Sequence, residues 1–206
     1  MPGASKRAIV PEETDMTRRY WDGDTFERGG RTFKVELPQD DFGRAPWEDD
    51  DGAGIVTEWT RRDKAPGERL LHEDRGSRRF YNWQETTAKA KRDGWGLCDD
   101  EKAALALRFG REPTRKQIIA EAVERDFDRM RSWCNDQWCY VGVVVTALDD
   151  EGDETDETES LWGIESDSRD YIAEVAHEHA DEINARLNAR FAIAVQASRP
   201  DMHNHR

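Results

Sequence analysis

The feature that most constrains the fold of this 206-residue chain is a nearly continuous run of β-branched and aromatic side chains at residues 138–148. These residue types pack well on a pleated surface, and an apolar run without alternation is typical of a strand buried on both faces. The chain must therefore supply neighbouring strands and covering elements. We expect residues 160–165 to return beside this strand after an acidic loop.

Two further strand pairs are indicated by turn residues. Gly29 and Gly30 lie between Phe26 and Phe33, and they supply the positive φ angles of a tight turn, so residues 25–36 are predicted to be a hairpin. The sequence Asp-Arg-Gly-Ser at residues 74–77 predicts a second hairpin, and residues 55–60 a short strand.

Four helices follow from capping residues and apolar spacing. Asn82 and Gly94 bound the first at residues 83–92, and Gly110 ends a short second helix that Asp99 or Asp100 would cap. Thr114 precedes the third at residues 115–133. The fourth begins after Asp167 or Ser168 and runs to about residue 197. Its predicted buried face consists of Ile172, Val175, Ala176, Ile183, Leu187 and Phe191.

Hairpins dominate over βαβ units in this order of elements. We therefore predict an α+β fold whose antiparallel sheet is built from hairpins and packed against three to four helices, including a long C-terminal helix. A weak boundary near Asn82 separates a strand-rich part at residues 21–82 from a helix–hairpin–helix part at residues 83–198, and both belong to one compact unit. Residues 1–20 are predicted to be a flexible arm and residues 199–206 a disordered tail.

The composition is polar for a globular chain, with 36% apolar and 37% charged residues. Eight tryptophans argue against disorder, because disordered chains are poor in large aromatic side chains. The net charge is −14, which repels nucleic-acid backbones and anionic membranes. The expected partner is a protein with a basic surface.

The negative charge is concentrated in two stretches. Residues 149–159 contain eight acidic residues and no basic one, and residues 36–58 contain eight acidic residues against Arg44. Closely spaced carboxylates can imitate nucleic-acid phosphates and occupy the basic groove of a DNA-binding protein. The candidate contact residues are Asp49, Asp50, Asp51, Asp149, Asp150, Glu151, Asp153, Glu154, Asp156 and Glu157.

The same stretches have simpler interpretations. They are also typical of a solvated hairpin loop and a solvated linker that keep a protein in solution. A calcium loop of the EF-hand type fits poorly, because Gly152 comes at the fourth position after Asp149 and the pattern requires glycine at the sixth.

Other chemistry-bearing residues favour structural roles. Cys134 lies on the apolar side of a predicted helix, and Cys134 with Cys139 lacks the further ligands that zinc requires. His177 and His179 are two residues apart, whereas helical zinc ligands are four apart, and His179 is interpreted as a core histidine. No nucleophile or phosphate-loop motif occurs. We therefore predict no catalytic residue, metal or cofactor.

Residues 79–84 (RFYNWQ), 92–96 (RDGWG), 138–145 (WCYVGVVV) and 159–167 (ESLWGIESD) resemble segments of small proteins carried by tailed bacteriophages and prophages. The resemblance covers most of the chain and implies an accessory protein in a bacterial cytoplasm. The absence of an N-terminal apolar run fits that location. Some small acidic phage proteins block restriction or CRISPR systems, and some of these mimic DNA.

The predicted function is therefore non-enzymatic binding of a basic, nucleic-acid-binding host protein through acidic surfaces. Two alternatives stay open at this point. One is a small phage enzyme, which a deep pocket with converging aromatic and polar groups would favour. The other is an assembly protein, which a symmetric oligomer would favour.

Overall fold

The computed structural model describes residues 19–49 and 52–198. Within them the predicted α+β class is confirmed, with five helices and two antiparallel sheets of four and two strands. The chain divides into two compact units: unit 1 comprises residues 1–40 and 140–206, and unit 2 comprises residues 41–139. The weak boundary predicted near Asn82 therefore lies inside unit 2, where a strand passes directly into a helix.

Unit 1 is built on the four-stranded sheet. Its elements in chain order are β1 (Thr25–Arg28), β2 (Arg31–Glu36), β5 (Tyr140–Leu148), β6 (Glu154–Glu165) and the helix α5 (Arg169–Ala197). The strand order is β1-β2-β5-β6, and every neighbouring pair is antiparallel. The first hairpin is confirmed, with Gly29 at φ 58° and Gly30 at φ 77° in the turn.

The predicted central strand is the core of unit 1. Val143 and Val145 of β5 are fully buried together with Ile172 and Ile183 of α5, which packs across β5 and β6. Thr146, on the opposite face of the strand by alternation, is also buried. Burial on both faces therefore follows the prediction.

The prediction for the last turns of α5 is wrong. Phe191 is 70% exposed, and residues 188–198 have no buried side chain. The helix has 29 residues, about 44 Å at 1.5 Å per residue, whereas the nine residues of β5 span about 31 Å. Apolar periodicity predicts a face that would be buried against a partner, but it cannot predict where the sheet beneath the helix ends.

Unit 2 contains the second hairpin and four helices. Its elements are α1 (Pro46–Asp49), β3 (Glu68–Asp74), β4 (Ser77–Asn82), α2 (Trp83–Asp93), α3 (Asp99–Phe109) and α4 (Arg115–Cys134). The predicted strand at residues 55–60 contributes only isolated bridges from Val56 to Tyr81 and from Thr60 to Arg78. The short helix α1 is not among the four helices predicted from the sequence.

Helix ends in unit 2 follow their capping residues closely. The Asn82 side chain accepts a hydrogen bond from the Glu85 amide, and Gly94 ends α2 in the left-handed conformation. Thr114 caps α4 as predicted. The cap of α3 is Cys98 rather than Asp99 or Asp100, because the Glu101 carboxylate reaches back to the Cys98 amide at 2.9 Å.

Candidate acidic interaction surface

The formal charge is divided unequally between the two units. Unit 1 contains 24 acidic and 12 basic residues, a net charge of −12, whereas unit 2 contains 21 acidic and 19 basic residues, a net charge of −2. The two acidic stretches also separate, since residues 149–159 belong to unit 1 and residues 41–58 of the other stretch to unit 2. The acidity is therefore chiefly a property of unit 1.

Three candidate residues of unit 2 contribute nothing to a geometric argument. Asp49 is the last residue of α1, and its side chain lies outside the described part of the chain. Asp50 and Asp51 also lie outside the described residues. The surface has to be built from the seven candidates of unit 1.

The turn between β5 and β6 is organised by Asp149. Its side-chain Oδ1 accepts hydrogen bonds from the amides of Glu151 at 3.0 Å and Asp153 at 2.9 Å, and Gly152 adopts φ 90°. A carboxylate that bonds to the following backbone stabilises a turn. The first acid of the stretch is therefore a turn former, while Asp150, Glu151 and Asp153 extend into solvent.

The predicted acidic loop is shorter than expected, because β6 begins at Glu154 instead of residue 160. Glu154, Asp156 and Glu157 are therefore strand residues, and their side chains alternate between the two faces of the sheet. The sequence missed this because Asp and Glu are poor strand formers, and the pairing of β6 with β5 overrides that local preference.

Two of these strand acids are engaged inside unit 1. Glu157 faces α5 and accepts hydrogen bonds from Arg186 at 2.9 Å and from Arg190, and Arg186 also binds Glu159. The hydrogen bond from Arg186 is the main cause that lowers the pKa of Glu157. On the other face, Lys34 of β2 donates to Glu154 at 2.6 Å, which raises the lysine pKa.

Four carboxylates of the stretch stay available. Asp150, Glu151, Asp153 and Asp156 are exposed, and among the described residues none of them forms an ion pair. We call these four residues the hairpin patch. The structure thus brings together seven predicted acids in one hairpin and separates them into three that bind their own unit and four that face solvent.

A second acidic feature was missed in the sequence. Asp170, Glu174, Glu178 and Glu182 are exposed on α5 at intervals of four residues, so they form a row along one face. With a rise of 1.5 Å per residue the row is about 18 Å long. We call it the helix stripe. The four-residue spacing within the predicted helix is the signal that identifies it.

Unit 2 contains a cavity of about 430 Å³ beside Trp95, and two carboxylates of its lining accept hydrogen bonds from side chains of the same unit. Arg125 donates to Glu101 at 2.5 Å, and the buried Tyr81 hydroxyl donates to Asp126 at 2.5 Å. Burial is the main cause that raises the pKa of Tyr81, and the Asp126 carboxylate adds to it. These interactions join α3, α4 and β4, so Glu101, Arg125 and Asp126 have structural partners within unit 2.

The cysteines and histidines occupy separate environments. Burial raises the pKa of Cys134 to about 11, and this side chain packs against the apolar core of unit 2 as predicted. His177 bonds to the Tyr20 hydroxyl at 2.7 Å, whereas both ring nitrogens of His179 are buried without a hydrogen bond. Throughout residues 19–49 and 52–198, no three metal-ligating side chains converge.

None of the helices in the described ranges is both long enough and apolar enough to cross a membrane. Comparisons with protein-family models, with curated proteins and with solved structures found no match to this chain.

Proposed function

We propose that this protein is a non-enzymatic binding protein whose unit 1 engages a basic surface of a nucleic-acid-binding protein. The observation that carries the proposal is the hairpin patch, in which four neighbouring carboxylates stay exposed while nearby acids are neutralised within the unit. If the four acids of the hairpin patch served to stabilise unit 1, arginine or lysine side chains of the unit would lie beside them, as they do beside Glu154 and Glu157.

The helix stripe supports the same function. Four like charges at four-residue spacing weaken an isolated helix by a few tenths of a kcal/mol per pair, so the stripe costs stability. A cost of this kind is compensated when the carboxylates contact a cationic surface and release its counterions. The hairpin patch and the helix stripe therefore form the acidic surface that we assign to binding.

The partner class follows from the charge pattern and from the resemblance of the sequence to phage proteins. A basic groove that holds nucleic acid is complementary to rows of carboxylates. We infer an accessory protein of a tailed phage or prophage that acts in the bacterial cytoplasm. Its target would be a defence or transcription protein of the host, such as a CRISPR or restriction component.

The test uses the full chain immobilised in a bacterial lysate at low and at high salt. The captured proteins should be DNA-binding proteins. They should be released from the immobilised chain at high salt, and added duplex DNA should compete with the chain for binding them. The variant Asp150→Lys, Glu151→Lys, Asp156→Lys should lose them, and Glu174→Lys, Glu178→Lys, Glu182→Lys should weaken capture.

The matched control reverses three exposed acids of unit 2, in the variant Glu58→Lys, Glu112→Lys, Asp128→Lys. It has the same change in net charge, so equal losses in both variants would mean that only total charge matters. Capture that resists both salt and charge reversal would contradict the proposed function.

A further inference from the structure

Strand β6 lies at the edge of the four-stranded sheet and is hydrogen-bonded on one side. The sheet order ends with β6, and within the described residues β5 is its pairing partner. With 12 residues it is the longest strand in the described part of the chain. The outer side of an edge strand presents amide and carbonyl groups that can pair with another extended chain.

Two irregularities delimit the part of β6 that is suited to such pairing. The first irregularity lies at residues 155–157. There the Thr155 hydroxyl donates to the Ala147 carbonyl at 2.8 Å and accepts from the Glu157 amide at 3.2 Å, so this amide already has a hydrogen-bond partner. At the other end Gly163 adopts φ 78° in a second irregularity. Between them, Thr158–Leu161 pairs with β5 in unbroken register.

A large aromatic side chain stands at the end of this regular segment. The Trp162 indole lies on the backbone of Gly142, where an added Cβ would be 2.7 Å from the nearest ring atom. Although held there, Trp162 is 49% exposed, and its neighbour Leu161 is 40% exposed. Half-buried tryptophan side chains are frequent anchors of binding interfaces.

The charges along the strand decide which occupant fits. A second copy of β6 would bring another acid-rich strand to the edge beside the exposed Asp156, and like charges on paired strands destabilise the pairing. A segment with lysine or arginine at alternate positions would have the opposite effect. The edge is therefore protected from self-association and complementary to a basic strand.

We propose that the Thr158–Leu161 edge of β6 accepts an extended segment of the partner, with Lys or Arg at alternate positions, as a fifth strand of the sheet. By alternation, the cationic side chains of the added strand lie on the face of Asp156 and the Trp162 indole, and its apolar side chains lie on the face of Leu161. This inference rests on the proposed function and specifies how the basic partner is held.

The test uses two synthetic peptides and the full-length protein. One is a ten-residue peptide that alternates lysine and valine, and the other is the same peptide methylated at every backbone nitrogen, which keeps the charge and removes the amide donors. The first peptide should bind at least about tenfold more tightly, because only it can form the backbone hydrogen bonds of a strand. It should also slow hydrogen exchange of amides in residues 158–161.

Two variants make the test specific. Trp162→Ala should weaken binding of the unmethylated peptide, whereas Trp59→Ala, which removes an equally exposed indole (46%) from unit 2, should not. Equal affinities of the two peptides would overturn strand addition and leave charge-driven binding in place. Failure of both peptides to bind even at low salt would overturn the proposed function as well.

Discussion

The two units use charged residues in different ways. In unit 2, acidic and basic residues nearly balance, and many of them connect elements: Arg62 binds the buried Glu68, and Arg108 and Arg125 of α3 and α4 bind Glu121 and Glu101. In unit 1, internal ion pairs use some of the acids, and eight exposed acids form the hairpin patch and the helix stripe. Acidic side chains thus stabilise packing in one unit and form an exposed surface in the other.

Arginine makes the contrast clearer. Unit 2 stacks guanidinium groups on aromatic rings, with Arg69 3.3 Å from the centre of the Trp83 ring and Arg79 4.9 Å from both Trp47 and Trp59. In unit 1, Arg169 also stacks 4.3 Å from the centre of the Trp21 ring, but Arg186 and Arg190 are directed to the carboxylates of β6. The difference teaches that net charge alone does not identify a binding surface, since the partners of each charge decide its role.

The largest effect is expected in the core of unit 2. Phe127→Ala should lower the free energy of unfolding by about 3–5 kcal/mol, because a 5% exposed ring that contacts Tyr81 and Trp83 would leave a cavity. Phe191→Ala, in the exposed end of α5, should change it by less than about 0.5 kcal/mol. Denaturant titration measures both. Similar losses would mean that Phe191 is buried in solution.

A second effect tests the buried carboxylate of unit 2. Arg62 lowers the pKa of Glu68 below its ordinary value of 4.5, so Glu68 stabilises the fold above that pH, and this contribution is lost as the pH falls through the lowered pKa. Glu68→Gln should cost about 1.5–3 kcal/mol at neutral pH. Glu73→Gln, which breaks a more exposed pair with Arg78, should cost at most about 1 kcal/mol. Equal costs would contradict the role assigned to burial.

The pH dependence of unit 1 tests the ion pairs between β6 and α5. Arg186 lowers the pKa of Glu157, so this contribution is also present above 4.5 and lost at lower pH. Arg186→Met should lower Tm at neutral pH and show a smaller further decrease on acidification, so that its curve converges with that of the natural protein. Arg31→Met is the control, because Arg31 bonds to Asn184 and Asn188 and to no carboxylate in the described chain. The Tm of Arg31→Met should be lower than that of the natural protein by about the same amount at every pH.

The smallest effect on stability is expected in the hairpin patch. Asp150→Lys, Glu151→Lys and Asp156→Lys should each change the free energy of unfolding by less than about 0.5 kcal/mol, because these side chains are exposed and have no ion pair in the described structure. Asp149→Ala should cost more than any of them, since it removes two hydrogen bonds of the turn, and Asp149→Asn should retain most of that stability. Thermal unfolding distinguishes these cases. A large loss from the patch substitutions would assign those acids to folding instead of binding.

Much of the local structure was predictable from the sequence, and the predictions that failed have a common cause. The caps at Asn82, Thr114 and Gly94 and the turn at Gly29 and Gly30 were correct, because capping and turn preferences act over a few residues. The predicted start of β6 and the predicted burial of Phe191 were wrong, because both properties depend on neighbours that are distant in sequence. The division into units also depends on such a neighbour, since β2 pairs with β5 although all residues of unit 2 lie between them in the sequence.

The sequence by itself determined the four long helices, the tight turns of the two N-terminal hairpins and the number of acids in the chain. Only the tertiary structure decided which acids are available. Lys34 is 120 residues from Glu154, and Arg186 is 29 residues from Glu157, so no local pattern could assign those pairs. An ion pair forms where folding brings opposite charges within a few ångströms, and the four acids of the hairpin patch have no such neighbour in the described structure.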